Sequence, residues 1–201
     1  MIANATGILA LGFALGCGGG GTTATPDGPT GDVVTSYTVT TSKGAITIET
    51  HRAWAPNGVD RFAELVAADF YSGARFFRVI PGFIAQFGIN GTPATNAMWS
   101  DRTIPDDPVV RTNTRGYVTY AQTSQPSSRT TQLFINTVDN HFLDAMGFAP
   151  FAIVTNGMDV VDRLDAEYGE HPDQGMISAS GNAYLTANFP NLDYIISVAT
   201  P

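Results

Sequence analysis

Apolar and polar positions alternate where the folded part of the chain begins. Tyr37, Val39 and Thr41 fall on one face, a period of two that predicts a half-buried strand. Ser42-Lys43-Gly44 supplies turn residues and the run 45–49 alternates again, so a β-hairpin opens the domain. The spacing changes after Pro56. Val59, Phe62, Leu65 and Val66 recur at helical intervals. Proline suits a first helical position because its missing N–H has no intrahelical acceptor there. A helix is therefore expected over 56–68. Short strands follow at 75–79, 84–87, 117–121, 133–136 and 152–154, and a second helix from about Gly157 with Val160, Val161 and Leu164 on its buried stripe. The last strand covers 192–198. Between strands lies an irregular stretch, 91–115, and loops of that length in compact domains are often functional.

Many short strands with two separated helices predict a mainly β fold, a closed antiparallel barrel with helices at its ends. The composition agrees. The 201 residues are 43% hydrophobic with 21 Gly and 12 Pro, enough for one well-buried core in a loop-rich fold. Net charge is -8 and Lys43 is the only lysine, so no basic stripe is available for nucleic acid. Cys17 is the only cysteine, which rules out an internal disulfide and a Cys-rich zinc site. His51, His141 and His171 lie too far apart for a ligand spacing, and no metal is expected. The chain has no internal repeat, GxSxG, P-loop or GxGxxG.

The first 26 residues carry no charged side chain. Within them Ile8 to Leu15 form an apolar run too short to span a bilayer and of the length of a signal-peptide core. The run meets Gly16-Cys17, which resembles the lipobox of bacterial lipoproteins, where the cysteine is cleaved and lipidated. The expected organisation is a signal peptide over 1–17 ending at a lipidated Cys17, a flexible Gly/Thr/Pro tether over 18–35, and one folded domain over 36–201. Such a protein is exported and held by its lipid at the periplasmic face of a bacterial membrane.

Four segments of the domain, in order, carry a family resemblance. Phe76-Phe77-Arg78-Val79-Ile80-Pro81-Gly82-Phe83-Ile84-Ala85-Gln86-Phe87-Gly88 resembles the signature segment of cyclophilins. Thr130-Thr131-Gln132-Leu133-Phe134-Ile135-Asn136 resembles that family's strand with a pocket phenylalanine, and Asn140-His141-Phe142-Leu143-Asp144 its substrate-facing loop. Phe151-Ala152-Ile153-Val154 with Gly157-Met158-Asp159-Val160-Val161 resembles its later strand and final helix.

The resemblance implies a closed eight-stranded antiparallel barrel capped by two α-helices, with a groove for Xaa-Pro peptides and peptidyl-prolyl cis-trans isomerase activity. It matches Arg78 to the catalytic arginine and Gln86 to the polar residue beside it. Phe83, Ile84, Phe134 and Leu143 match the walls of a proline pocket, and Ala121 and Gln122 the segment whose backbone binds the substrate chain. Phe142 stands where many eukaryotic members have tryptophan, Gln122 where asparagine is frequent, and the groove-edge histidine is absent. The implied partners are proline-containing polypeptides and, through the lipid, a membrane. The chain is expected to act as a monomer without cofactor.

The residues themselves fit that chemistry. Amide rotation needs a group that binds the twisted bond better than the planar one, and a guanidinium offers fixed donors at every pH. Apolar side chains supply a socket for a proline ring. Two other readings use the same pattern: a non-catalytic proline-peptide-binding chaperone or scaffold, and a small-ligand barrel of the lipocalin type, which would lack the early helix.

Overall fold

The computed structural model describes residues 31–201. The expected leader ending at Cys17 and the tether up to Thr30 lie outside the described residues. No helix among the described residues is long and apolar enough to cross a membrane.

The opening hairpin is β1 (Val34–Thr41) and β2 (Gly44–His51), paired in register from Thr41↔Gly44 to Val34↔His51. Its strand thus starts inside the stretch expected as tether. Helix α1 (Pro56–Ala67) follows, with Pro56 in its first turn and Phe62 and Leu65 buried. The free N–H groups of Asn57 and Gly58 donate to the Asp107 carboxylate at 3.1 and 2.9 Å, so a distant side chain caps the helix start. Then come β3 (Arg78–Ile80), β4 (Ile84–Phe87), a short α2 (Pro93–Ala97), β5 (Tyr117–Tyr120) and β6 (Leu133–Asn136). A 3-10 helix (His141–Met146), β7 (Pro150–Asn156), α3 (Met158–Asp162), α4 (Gln174–Asn188) and β8 (Ile195–Ala199) complete the domain.

All strands join one antiparallel sheet in the order β3-β4-β6-β5-β7-β2-β1-β8. The concave side holds the main core, in which Val39, Ile46, Ile48, Phe62, Phe87 and Phe151 are all at most 2% exposed. The fold is mainly β, as expected, but the sheet is an open, strongly curled one rather than a closed barrel. Its two end strands do not form a ladder. They approach through the single bridge Arg75↔Tyr194, with Gly73 N–H donating to the Ile195 carbonyl at 2.8 Å and Phe76 N–H to that of Asp193 at 2.9 Å. Closure fails because β3 is short and its outer edge is already taken: the Val79 N–H donates to the carbonyl of Gly169 at 3.2 Å.

Gly169 belongs to a segment that the apolar pattern left without structure. It leads into α4, which rests on its own small apolar cluster of Phe77, Ile89, Ile177, Leu185 and Leu192. The expectation of two helices therefore falls short. Helix α4 breaks at Gly181, whose φ of 58° and ψ of −146° are open to glycine alone. A Cβ there would lie 2.0 Å from the Gly91 carbonyl oxygen. The next residue, Asn182, donates its N–H to that same oxygen at 2.8 Å, so the break docks α4 onto the long connection after β4.

Candidate active site

Strand register builds the site. Arg78 on β3 faces Gln86 on β4, Gln86 faces Phe134 on β6, and Phe134 faces Thr119 on β5. Directly opposed residues of an antiparallel pair share a face, so these four form a row across the outer side of the sheet. Ile84 and Asn136, themselves paired, stand two residues along on the same side. The alternate residues Val79, Ala85, Ile135 and Val118 point into the main core. One set of strands thus carries core on one face and site on the other.

Ile84, Phe134 and Leu143 form a buried cluster against which Phe83, Ala121 and Phe148 pack. They wall a cavity of about 150 Å³ that Arg78, Gln86 and Gln122 complete. Phe148 meets Phe134 edge-on at 5.7 Å between centroids, a favoured geometry for two rings. The Arg78 guanidinium lies 5.7 Å from the Phe83 ring centre. Phe142 sits on the rim, 58% exposed, and stacks on Phe83 at 6.0 Å.

Arg78 is held on two sides. Its Nη1 donates to Gln86 Oε1 at 3.3 Å, and its Nε and Nη2 donate to Glu170 Oε2 at 3.1 and 3.0 Å. Gln86 Nε2 in turn donates to Gln132 Oε1 at 2.9 Å, which fixes which end of the amide faces Arg78. Gln122 Nε2 donates to the Met146 carbonyl at 2.8 Å, tying the segment after β5 to the 3-10 helix. Next to the apolar cavity lies a polar one of about 200 Å³, sharing Gln86, Ala121 and Gln122 and bounded by Thr123, Ser128 and Gln174. A wider, more open cleft of about 660 Å³ continues past Gln122 to Asp106 and Asp107. The three depressions form one groove, and the smallest is the one that combines an arginine with an apolar lining.

Beneath the socket, buried amides knit its supports together. Asn113 Nδ2 donates to Asp144 Oδ1 and to the Phe148 carbonyl, both at 2.8 Å, while its Oδ1 accepts from Thr119 Oγ1 at 2.9 Å. Asn140 Nδ2 donates to Asn136 Oδ1 at 2.8 Å and to the Phe83 carbonyl at 3.0 Å. Such a network specifies one arrangement because each unmade bond inside it is costly.

All nine residues expected at the groove, Arg78, Phe83, Ile84, Gln86, Ala121, Gln122, Phe134, Phe142 and Leu143, lie around one opening, Phe142 at its rim. Sequence reasoning passed over Phe148, Gln132, Glu170 and Gln174. Phe148 and Gln132 stand inside or beside the matched segments and were within reach. Glu170 and Gln174 carry no local signal.

Comparison with known proteins agrees with the geometry. Residues 36–179 match the family model described as cyclophilin type peptidyl-prolyl cis-trans isomerase/CLD. A peptidyl-prolyl cis-trans isomerase of Acinetobacter baylyi is 38% identical over 65% of this chain and 74% of its own length. Peptidyl-prolyl cis-trans isomerase B of Escherichia coli is 34% identical over 80% of this chain and 95% of its own. A solved cyclophilin-type isomerase of Cryptosporidium parvum superposes with a TM-score of 0.62 at 18% identity, covering 84% of this chain and 98% of that one. AquaCyp293, a cyclophilin of Hirschia baltica, gives 0.62 at 20% identity over 83% of this chain and 73% of its own. The chain belongs to the cyclophilin-type peptidyl-prolyl cis-trans isomerase family. The activity of that family is rotation about the peptide bond that precedes proline.

Proposed function

We propose that the chain speeds the cis-trans exchange of Xaa-Pro bonds in exported polypeptides and that Arg78 is the catalytic group. The observation that carries this reading is a guanidinium at the mouth of a small apolar socket, held beside it by Gln86. Resonance sets the rotation barrier at about 18–20 kcal/mol and leaves spontaneous exchange taking tens to hundreds of seconds. As the bond twists, the nitrogen lone pair is no longer delocalised and accepts a hydrogen bond that the planar amide cannot. A donor fixed near that nitrogen therefore favours the twisted state over the ground state. Ile84, Phe134 and Leu143, with Phe83 and Phe148, take the proline ring. Ala121 and Gln122 align the neighbouring backbone, and Phe142 offers an apolar rim. The mechanism moves no proton and makes no covalent bond.

The proposal extends to location. The apolar run ending in Gly16-Cys17 supports export and a lipid on Cys17, which would confine the domain to clients folding outside the cytoplasm. Two measurements decide these points. Exchange spectroscopy by NMR on a short proline peptide should show acceleration by catalytic amounts of the chain. Binding without acceleration would make it a proline-peptide-binding scaffold instead. Cys17→Ser should release the protein from membranes or stall its processing, and unchanged membrane partition and mass would remove the anchor.

A further inference from the structure

We infer that Glu170 is a positioning residue for Arg78, holding the guanidinium from the edge opposite Gln86. The inference rests on the role proposed for Arg78. A guanidinium carries five N–H groups in a fixed fork. Three are engaged: Nε and Nη2 by Glu170 Oε2, and Nη1 by Gln86 Oε1. One N–H on each terminal nitrogen is left for a substrate. Gln86 lines the socket, and Glu170 does not. The carboxylate therefore grips the far edge of the fork and leaves the socket clear.

Glu170 itself is delivered by backbone. Gly169 accepts from the Val79 N–H at 3.2 Å, so the residues that neighbour this bond, Glu170 and Arg78, are brought side by side. A φ of 54° at Gly169 makes the turn that allows it. The preceding Tyr168 packs edge-on against Phe189 at 5.2 Å and rests on the apolar cluster under α4. This added layer thus anchors the turn that sets Glu170 beside the arginine. As an ion pair the contact contributes little to stability, because the Glu170 side chain is 66% exposed. Its effect is on orientation: a four-bond side chain held only by Gln86 and the face of Phe83 samples rotamers that point its donors away from the socket.

The test uses the full chain and two variants. Glu170→Ala removes the acceptor, and Glu170→Gln keeps an acceptor while removing the charge. Exchange rates on a saturating proline peptide and peptide affinity are measured by NMR, together with water exchange of the Arg78 Nε–H. Glu170→Ala should slow isomerisation about tenfold, short of the roughly 10²–10³ expected for loss of a preorganised donor. Affinity should change by less than about twofold, the melting temperature should hold, and the Arg78 Nε–H should exchange faster with water. Glu170→Gln should restore most of the rate. A Glu170→Ala protein as fast as the parent, or faster, overturns the inference. So does an equal loss of rate and affinity, which would make Glu170 a plain substrate contact. If the parent chain does not isomerise at all, the catalytic reading falls. The Nε–H measurement then still decides whether Glu170 holds the guanidinium, unchanged exchange in Glu170→Ala counting against it.

Discussion

Replacing Asn113 by alanine should cost more than any surface change, and the size follows from counting stranded groups. Asn113 is fully buried, and its amide makes bonds to Asp144, Phe148 and Thr119 and a longer one of 3.3 Å from Asn136. Without the amide, Asn136 Nδ2 keeps the Tyr117 carbonyl at 3.1 Å, and Asp144 Oδ1 keeps the Asn113 backbone N–H at 2.9 Å. The Thr119 hydroxyl and the Phe148 carbonyl lose these partners. Each stranded buried group costs about 1–3 kcal/mol, so the two together cost about 2–6 kcal/mol. For a domain of this size that lowers the melting temperature by roughly 4–24 °C. Urea titration at fixed slope gives the free energy directly. Because the same bonds fix Phe148 and the 3-10 helix carrying Leu143, peptide affinity should fall in the surviving folded protein. A loss below about 1 kcal/mol with affinity intact would refute the view that this network holds the floor of the socket.

Two other expectations concern different parts of the molecule. Burial raises the phenol pKa of both Tyr71 and Tyr120, the latter well above its ordinary value. The unfolded chain releases these protons near pH 10 while the folded one retains them, so stability is full below about pH 10 and falls as pH rises further; a melting temperature flat to pH 11.5 would contradict this. Phe142 is 58% exposed and stacks on Phe83 at the rim, so Phe142→Ala should weaken proline-peptide affinity about fivefold, the worth of one aromatic contact of about 1 kcal/mol, and an unchanged dissociation constant would mean that the rim does not touch the peptide.

The legible parts of the molecule are those whose pattern is local. Alternation over Tyr37–Thr41 and the stripe of Phe62 and Leu65 after Pro56 each report burial by a surface only a few residues long, and β1, β2 and α1 sit where those patterns place them. The site was legible for a related reason. Arg78 and Gln86 are joined by a tight hairpin, so a continuous segment brings both to one face. Helix α4 was not legible because only Ile177, Gly181 and Leu185 are buried along it, and the break at Gly181 interrupts any helical period. Glu170 meets Arg78 across 92 positions of chain, a relation that depends on the Gly169–Val79 bond and leaves no trace in nearby residues. The open edge of the sheet has the same origin: the strand pattern shows which segments can pair but not that Gly169 occupies the side of β3 that a closing β8 would need.

The role of Arg78 is tested most directly by comparing Arg78→Ala with the parent for two quantities on one proline peptide: dissociation constant and exchange rate at saturation. Arg78 is half-buried and outside the main core, so the variant should remain folded, as a melting curve will verify. A donor that acts chiefly on the twisted amide should leave affinity nearly unchanged while the rate falls about 10²–10³-fold, or roughly 3–4 kcal/mol of barrier. Arg78→Lys should recover only part, because a single ammonium lacks the fork. A folded Arg78→Ala protein that isomerises at the parent rate would place catalysis elsewhere, and one that loses affinity and rate in equal proportion would reduce Arg78 to a substrate anchor.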